Sequence, residues 1–324
     1  MDLSIIIVNW NSLEFLRACI RSLREKVKKL EYEIVIVDNV SEKDDSRQAL
    51  RSGEFGEGVR VLLPTANLGF VRANNLGARH AKGRLLFFLN PDTEVRGGAV
   101  ERLAAELEAR PEAGIAGARL LNSDGSLQTS CVQPFPRIRT HVLGWESLQK
   151  RWPAWWGIDA MYKPEGVYEC EVVSGACLLI KREAFDASGG FSLDYFMYAE
   201  EVDLCWAAKQ RGWKTLHVST AEVVHHGGQS TNQGGGSAFS DVLNQDSVHI
   251  FLRKSRGAAY AWTHRLGMLL NATMRMVILG LTGSRRVAKW KRIVTWALGM
   301  EGWTKKLARE ADEAVLRSAV VKEV

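Results

Sequence analysis

Four short, mostly apolar runs in the N-terminal third constrain this chain more than any other feature. Ser4–Asn9, Glu33–Val37, Arg60–Leu63 and Leu85–Leu89 are each of strand length and rich in Ile, Val, Leu or Phe. Between them the apolar residues take the helical period. Leu16, Ile20 and Leu23 share one face of Leu13–Leu30, with Ser12 as the expected N-cap. Another helix is expected around Ala73–Ala81, closing at Gly83. Strand, helix, strand, repeated, predicts an α/β fold with a parallel sheet and helices on both faces.

Further along, a helix is expected near Gly98–Ala109, ending before Pro111, and one over Glu200–Arg211, closed by Gly212. Val172–Ile180, Thr215–Val218 and Glu222–Val224 have strand character. Residues 133–166, rich in Pro, Trp and Gly, read as a long loop, and Gly227–Ser237 as a mobile one.

The chain has 324 residues, 46% hydrophobic and 25% charged, which suits one large globular domain or one domain with an extension. Its five cysteines are scattered without a CxxC pair, so neither a zinc site nor a disulfide framework is indicated. Reduced thiols in a cytoplasmic protein are the expectation. Met1-Asp2-Leu3 lacks a basic leader and Ser4–Val8 is too short for a secretory core. The most membrane-like stretch, Ala258–Leu281, is interrupted by His264, Arg265 and Arg275, so no span is expected.

The net charge of +6 is unevenly spread. Residues 247–309 carry thirteen Lys/Arg against the one acid Glu301, whereas residues 1–246 sum to −4. A catalytic domain over 1–246 and a basic, Trp-containing helical extension over 247–324 are therefore expected. The extension mixes its charge with Trp262, Trp290, Trp296 and Trp303, a composition that fits an anionic membrane surface at the inner face of the plasma membrane. Helices packed on the domain with solvated charges fit it equally. Nucleic acid is not expected, for want of a recognisable motif.

In an open α/β sheet, ligands bind beyond the carboxyl ends of the strands. Three polar clusters fall there: Asn9-Trp10-Asn11, Asp38-Asn39 and Asn90-Pro91-Asp92. Any one alone is an ordinary turn string. Asp92 is suited to a hard divalent cation that completes its shell with substrate phosphates, and Asp38 to the imide N–H of a pyrimidine. Asn67, Gly69 and Asn74 offer neutral hydrogen-bonding groups around a glycine that permits close backbone approach.

Three carboxylates, Glu200, Glu201 and Asp203, open a helix, where one could act as a general base. They could equally complement the helix dipole. His225 and His226 precede the Gly-rich loop and suit a phosphate or a metal.

Together the strings SIIIVNWNS, EIVIVDNVS, NLGFVRANNLGARHAKGRLLFFLNPDTEV, VSGACLLIKREAF, FMYAEEVDLCWAAKQRGW and HHGGQS resemble the inverting family 2 glycosyltransferases of the GT-A fold, most closely their rhamnosyltransferase-like branch. The resemblance covers most of residues 4–230. It implies that Asn9 and Asp38 line the donor base and ribose pocket, and Asn11, Asn39, Asn67, Gly69, Asn74, Asn90, His225 and His226 are further candidates for the donor side. Asp92 stands at the metal-binding aspartate, for Mg²⁺ or Mn²⁺, and Asn90 opens what is often an Asp-x-Asp. Gly175 and Ala176 border the donor sugar and acceptor. Glu201 falls at the catalytic base, where many relatives carry aspartate, with Glu200 and Asp203 as alternates.

The branch implies dTDP-L-rhamnose as donor, with UDP-hexoses next, and a glycan or polyprenyl-linked acceptor in cell-surface polysaccharide synthesis. A catalytically silent nucleotide-sugar-binding membrane scaffold is the alternative from another class. A sugar nucleotidyltransferase is disfavoured, because Asn9-Trp10-Asn11-Ser12 replaces the basic, Gly-rich loop expected after its first strand.

Overall fold

A computed structural model describes residues 1–142, 151–227, 237–282, 284, 287–300, 302–317 and 322–323. Its strands are β1 (Leu3–Asn9), β2 (Tyr32–Asp38), β3 (Val59–Leu63), β4 (Leu85–Leu89), β5 (Thr93–Val95), β6 (Ala113–Leu121), β7 (Val132–Gln133), β8 (Val167–Cys170), β9 (Val172–Val173), β10 (Cys177–Lys181), β11 (Lys214–His225) and β12 (Lys322–Glu323). The main sheet runs β12-β3-β2-β1-β4-β10-β6-β11-β5, with β8 added on β11 and β7–β9 forming a separate pair.

β3, β2, β1 and β4 are parallel, as expected, but β10 runs antiparallel to both β4 and β6. The sheet is therefore mixed rather than purely parallel. β1 is buried at every position because helices cover both faces. Leu3, Ile5 and Ile7 join one core, Ile6 and Val8 the other, following the period of two along a strand.

The helices Leu13–Lys26, Gly69–His80, Ala99–Glu108 and Glu200–Gln210 fall close to their expected places. Ser12 occupies the expected cap position without capping by its side chain. Asp44 accepts the Leu13 N–H instead, at 2.8 Å. The two strands expected over 215–224 are one strand, β11, with a register irregularity between Val218 and Glu222.

β6 has no counterpart in the sequence reading. Its Ala- and Gly-rich sequence has weak strand propensity, yet bulk is excluded: a Cβ on Gly117 would lie 2.4 Å from Val173 Cβ. The described parts of 133–166 are not a bare loop either. They include the helices Ile138–Val142 and Pro153–Trp156, and Trp156, Ile158 and Met161 join the core. Most of Gly227–Ser237 lies outside the described residues.

The expected boundary after residue 246 falls inside the helix Ser237–Arg256, whose Val248, Phe251 and Leu252 belong to the core beside β4 and β10. The helices Ala258–Leu281 and Val287–Ala297 pack beyond it around Met268, Ile293 and Trp296. All five cysteines are free thiols.

Candidate active site

The carboxyl ends of β1 and β2 are in register, Asn9 opposite Asp38. Asn9 Nδ2 donates to Asp38 Oδ1 at 3.0 Å and to Ser41 Oγ at 3.2 Å. Asp38 also accepts from Ser41 Oγ at 2.6 Å and lies 3.4 Å from Arg47 Nε, so both its oxygens are engaged and its side chain has no exposure. Asp38 lies at the expected donor edge and fixes its shape.

The neighbouring amides likewise bond within this edge. Asn11 Oδ1 accepts the N–H groups of Glu42 and Lys43, each at 2.8 Å. Asn39 bonds Asn67 Oδ1 and the Gly69 carbonyl through Nδ2, and the Leu68 N–H through Oδ1. Asn67 also accepts from the Gly69 N–H, and Asn74 donates to Phe70 O in its own helix. These side chains hold turns at the expected sheet edge. The backbone around them is strained, since Asn11 and the β-branched Val40 have φ of +53° and +64°.

β5 pairs antiparallel with the end of β11, His225 opposite Thr93, which brings Asp92 beside the two histidines. The pair divides as alternate residues of a strand do. His226 contacts Glu94 Oε1 and Ser123 Oγ, each at 2.8 Å, so its ring is held away from Asp92. His225 Nε2 lies 3.4 Å from Asp92 Oδ1. Gln128 Nε2 donates to Asn122 Oδ1 and the His225 carbonyl, so its Oε1 must accept from His225 Nδ1, at 2.7 Å.

In the neutral imidazole this leaves the Nε2 lone pair directed at a carboxylate oxygen. Asp92 Oδ1 is itself buried without a hydrogen-bond partner. Two electron-pair donors facing one another fit a divalent cation between them. No group of three or more His, Cys, Asp or Glu suited to a metal occurs among the described residues, so a cation here would complete its shell with other oxygens, such as water and substrate phosphates.

The loop Ser174–Ala176 joins this point to the carboxylate helix. Ala176 O accepts the Asn90 N–H at 3.0 Å, and a Cβ on Gly175 would lie 3.4 Å from Glu201 Cβ. A second link runs from the donor edge. Phe70 N–H donates to Phe196 O at 3.0 Å, and the chain then passes through Tyr198 and Ala199 at φ +71° and +61° into Glu200. Two successive non-glycine residues in the left-handed region cost about 1–3 kcal/mol each and persist only where the surroundings impose them.

The three acids that follow have different surroundings. Glu201 borders a cavity of about 400 Å³ with Gln133, Thr140, Trp156, Tyr162 and Tyr198, and burial raises its carboxyl above the usual range. Glu200 is buried with Oε2 unpartnered, and burial, then the Glu201 charge, raise it further. Asp203 accepts from Lys254 Nζ at 2.7 Å, with burial raising its carboxyl and Lys254 opposing that. The ion pair distinguishes Asp203 from Glu201, which borders the cavity. Gln128 and Lys254 carried no sequence signal: each meets its partner across a long stretch of chain.

A mixed sheet of this order, with its polar turns gathered at one edge, defines a nucleotide-sugar transferase fold of the GT-A type. Residues 4–189 match the model of Glycosyl transferase family 2, and the chain belongs to that family. It is 32% identical over 251 residues to an N-acetylglucosaminyl-diphospho-decaprenol L-rhamnosyltransferase of Mycobacterium tuberculosis, covering 70% of this chain and 78% of that protein. The Pyrobaculum calidifontis mannosyltransferase PcManGT, solved with GDP-Man and Mn²⁺, matches with a TM-score of 0.57 at 15% identity, over 98% of this chain and 86% of that one. GalNAc-T7 with UDP, GalNAc and Mn²⁺ matches with a TM-score of 0.55 at 19% identity, over 69% and 44%. At these identities the two structures establish the fold alone.

Proposed function

We propose that this family 2 glycosyltransferase moves L-rhamnose from dTDP-L-rhamnose onto a hydroxyl of a glycan or polyprenyl-linked acceptor in cell-surface polysaccharide synthesis. The observation that carries the transfer chemistry is the backbone connection from Asp92 and His225, through Asn90 and the Gly175–Ala176 turn, to Glu201. The donor and acceptor classes are supported by the mycobacterial relative, whose name records L-rhamnose transfer to a decaprenol-linked sugar.

Asp92 and His225 would hold Mg²⁺ or Mn²⁺, which when bound neutralises charge on the departing nucleoside diphosphate. The chain's own residues do the rest. Asn9, Asp38 and Ser41 fix the donor edge, and Gly175 lets substrate approach where a side chain would intrude. Glu201 takes the proton of the acceptor hydroxyl as it attacks the anomeric carbon from the face opposite the leaving group, so the configuration inverts. The cavity beside Glu201 has no Lys or Arg in its described wall, which suits a neutral sugar better than a phosphate.

Asp92→Ala tests this reading. Transfer, followed as dTDP release with Mn²⁺ and an undecorated polyprenyl-diphospho-sugar, should fall to background while the melting temperature stays near wild type. Retained transfer would remove Asp92 from the mechanism.

A further inference from the structure

The helix Ala258–Leu281 presents two unlike faces. Ala261, His264, Met268 and Ala272 are buried against the rest of the chain. Trp262, Leu266, Leu270, Met274, Ile278 and Leu281 are exposed, Leu270 by 65% and Leu281 by 85%. Their spacing of three or four residues places them in one stripe, about 28 Å long at the helical rise. A continuous apolar stripe of this length facing solvent marks an interaction site.

The charge around it is predominantly basic, with Asp241 paired to Lys289 at 2.6 Å and Asp246 beside Trp296 on the adjoining helix. No Asp or Glu occurs between Ser247 and Met300. Arg265 lies over the rings of Trp262 and Trp296, and Arg275 over Trp290 at 4.7 Å. Lys291 is exposed on the adjoining helix. Trp296 is wholly buried, so only part of the aromatic content of this region is available to a partner.

We propose that this face docks the protein in the plane of an anionic lipid bilayer, with the stripe among the acyl chains and the Arg and Lys side chains at the headgroups. A second copy would set two predominantly basic surfaces against one another. A folded protein partner would want hydrogen bonds, and this stripe is almost wholly aliphatic. No helix among the described residues is long and apolar enough to cross a membrane, so the contact lies along the surface.

Docking also orients the candidate active site. Ile138 N–H donates to Tyr260 Oη at 3.1 Å, and Asn271 Nδ2 donates to Val142 O at 3.0 Å. The segment they hold contributes Pro136 and Thr140 to the wall of the Glu201 cavity. The helix that meets the lipid therefore supports the cavity wall, and an acceptor anchored in the bilayer would arrive beside it. That consequence rests on the proposed function; the docking itself does not.

The test is co-sedimentation of the full chain with vesicles of phosphatidylglycerol and phosphatidylcholine, and of phosphatidylcholine alone, at low and high salt. Wild type should bind the anionic vesicles and bind less in high salt. The double variant Leu266→Glu/Leu270→Glu should bind them about tenfold more weakly, with an unchanged melting temperature. Leu281→Glu, at the most exposed position, should weaken binding in the same direction if the double variant fails to fold. Wild type that ignores anionic vesicles, or variants that bind as wild type does, would overturn the proposal. So would a wild-type dimer that the substitutions convert to monomers. The readout needs neither donor nor acceptor, so its failure is separable from failure of the sugar-transfer reading.

Discussion

Glu200 and Glu201 are neighbours in the chain with separate surroundings, and their substitution should separate activity from stability. Glu201 borders the cavity, so Glu201→Gln should lower kcat about 10²- to 10⁴-fold in steady-state assays while leaving donor-induced thermal stabilisation in place. Its carboxyl is raised by burial and must be ionised to accept a proton, so the acidic limb of the kcat/KM profile should lie above the ordinary Glu value of about 4.3. Glu200 affects the fold instead. An acid whose folded pKa is raised contributes stability below its unfolded value, and that contribution is lost as pH rises through the folded one. Glu200→Gln removes the buried charge, so the variant should melt above wild type at about pH 8, with the gap closing near about pH 4. The residues alone brought the three acids to attention without ranking them, and only the family resemblance put Glu201 first. The ranking depends on a cavity wall and on Lys254, a residue 51 positions from Asp203. Asp92 could likewise be singled out from its place after β4, whereas Gln128, which orients His225, could not.

The turn into the helix Gly69–His80 links the donor edge to the acid-bearing loop, and its first residue tolerates no side chain. Gly69 has φ +69°, and a Cβ there would lie 2.6 Å from Phe196 Cδ2 and 2.8 Å from Phe196 O. Backbone cannot move aside as a flexible side chain can. Gly69→Ala should therefore cost about 2–3 kcal/mol in denaturant unfolding and reduce kcat/KM by displacing Tyr198–Glu201. Gly58→Ala is the control. Its φ is +77° but nothing lies within 4 Å, so it should cost about 1 kcal/mol and spare activity. The strands β1 to β4 were legible because burial on both faces demands unbroken apolar sequence. β6 was not, because its contact with Val173 requires glycine where a propensity argument asks for β-branched residues. The reversal of β10 was equally hidden, since strand direction is set by connections rather than by local pattern.

Across the whole molecule, the chain beyond β11 completes the fold as well as extending it. Phe251 stacks 6.1 Å from Phe135 and meets Trp206 edge-on at 6.0 Å, while Val248 and Leu252 are buried beside it. The same helix supplies Lys254 to Asp203. Lys254→Met would leave Asp203 a buried carboxylate without its cation. With the Lys254 side chain 43% exposed and partly screened, that should cost about 1–3 kcal/mol, and adding Asp203→Asn should recover most of it. Charge asymmetry along the chain suggested a division after residue 246, but the described core crosses it. A chain ended there loses Val248, Phe251 and Leu252, each worth about 1.5–3 kcal/mol of burial, and uncovers Phe135 and Trp206. Against a total stability of about 5–15 kcal/mol, that loss is large enough to remove the folded state. Calorimetry of residues 1–246 should accordingly show no cooperative transition, and extension to Gly257 should restore one. A cooperative melt of the shorter chain near the full-length temperature would instead make the helices an independent unit. The Lys254–Asp203 pair would then be a contact between two bodies rather than part of one core.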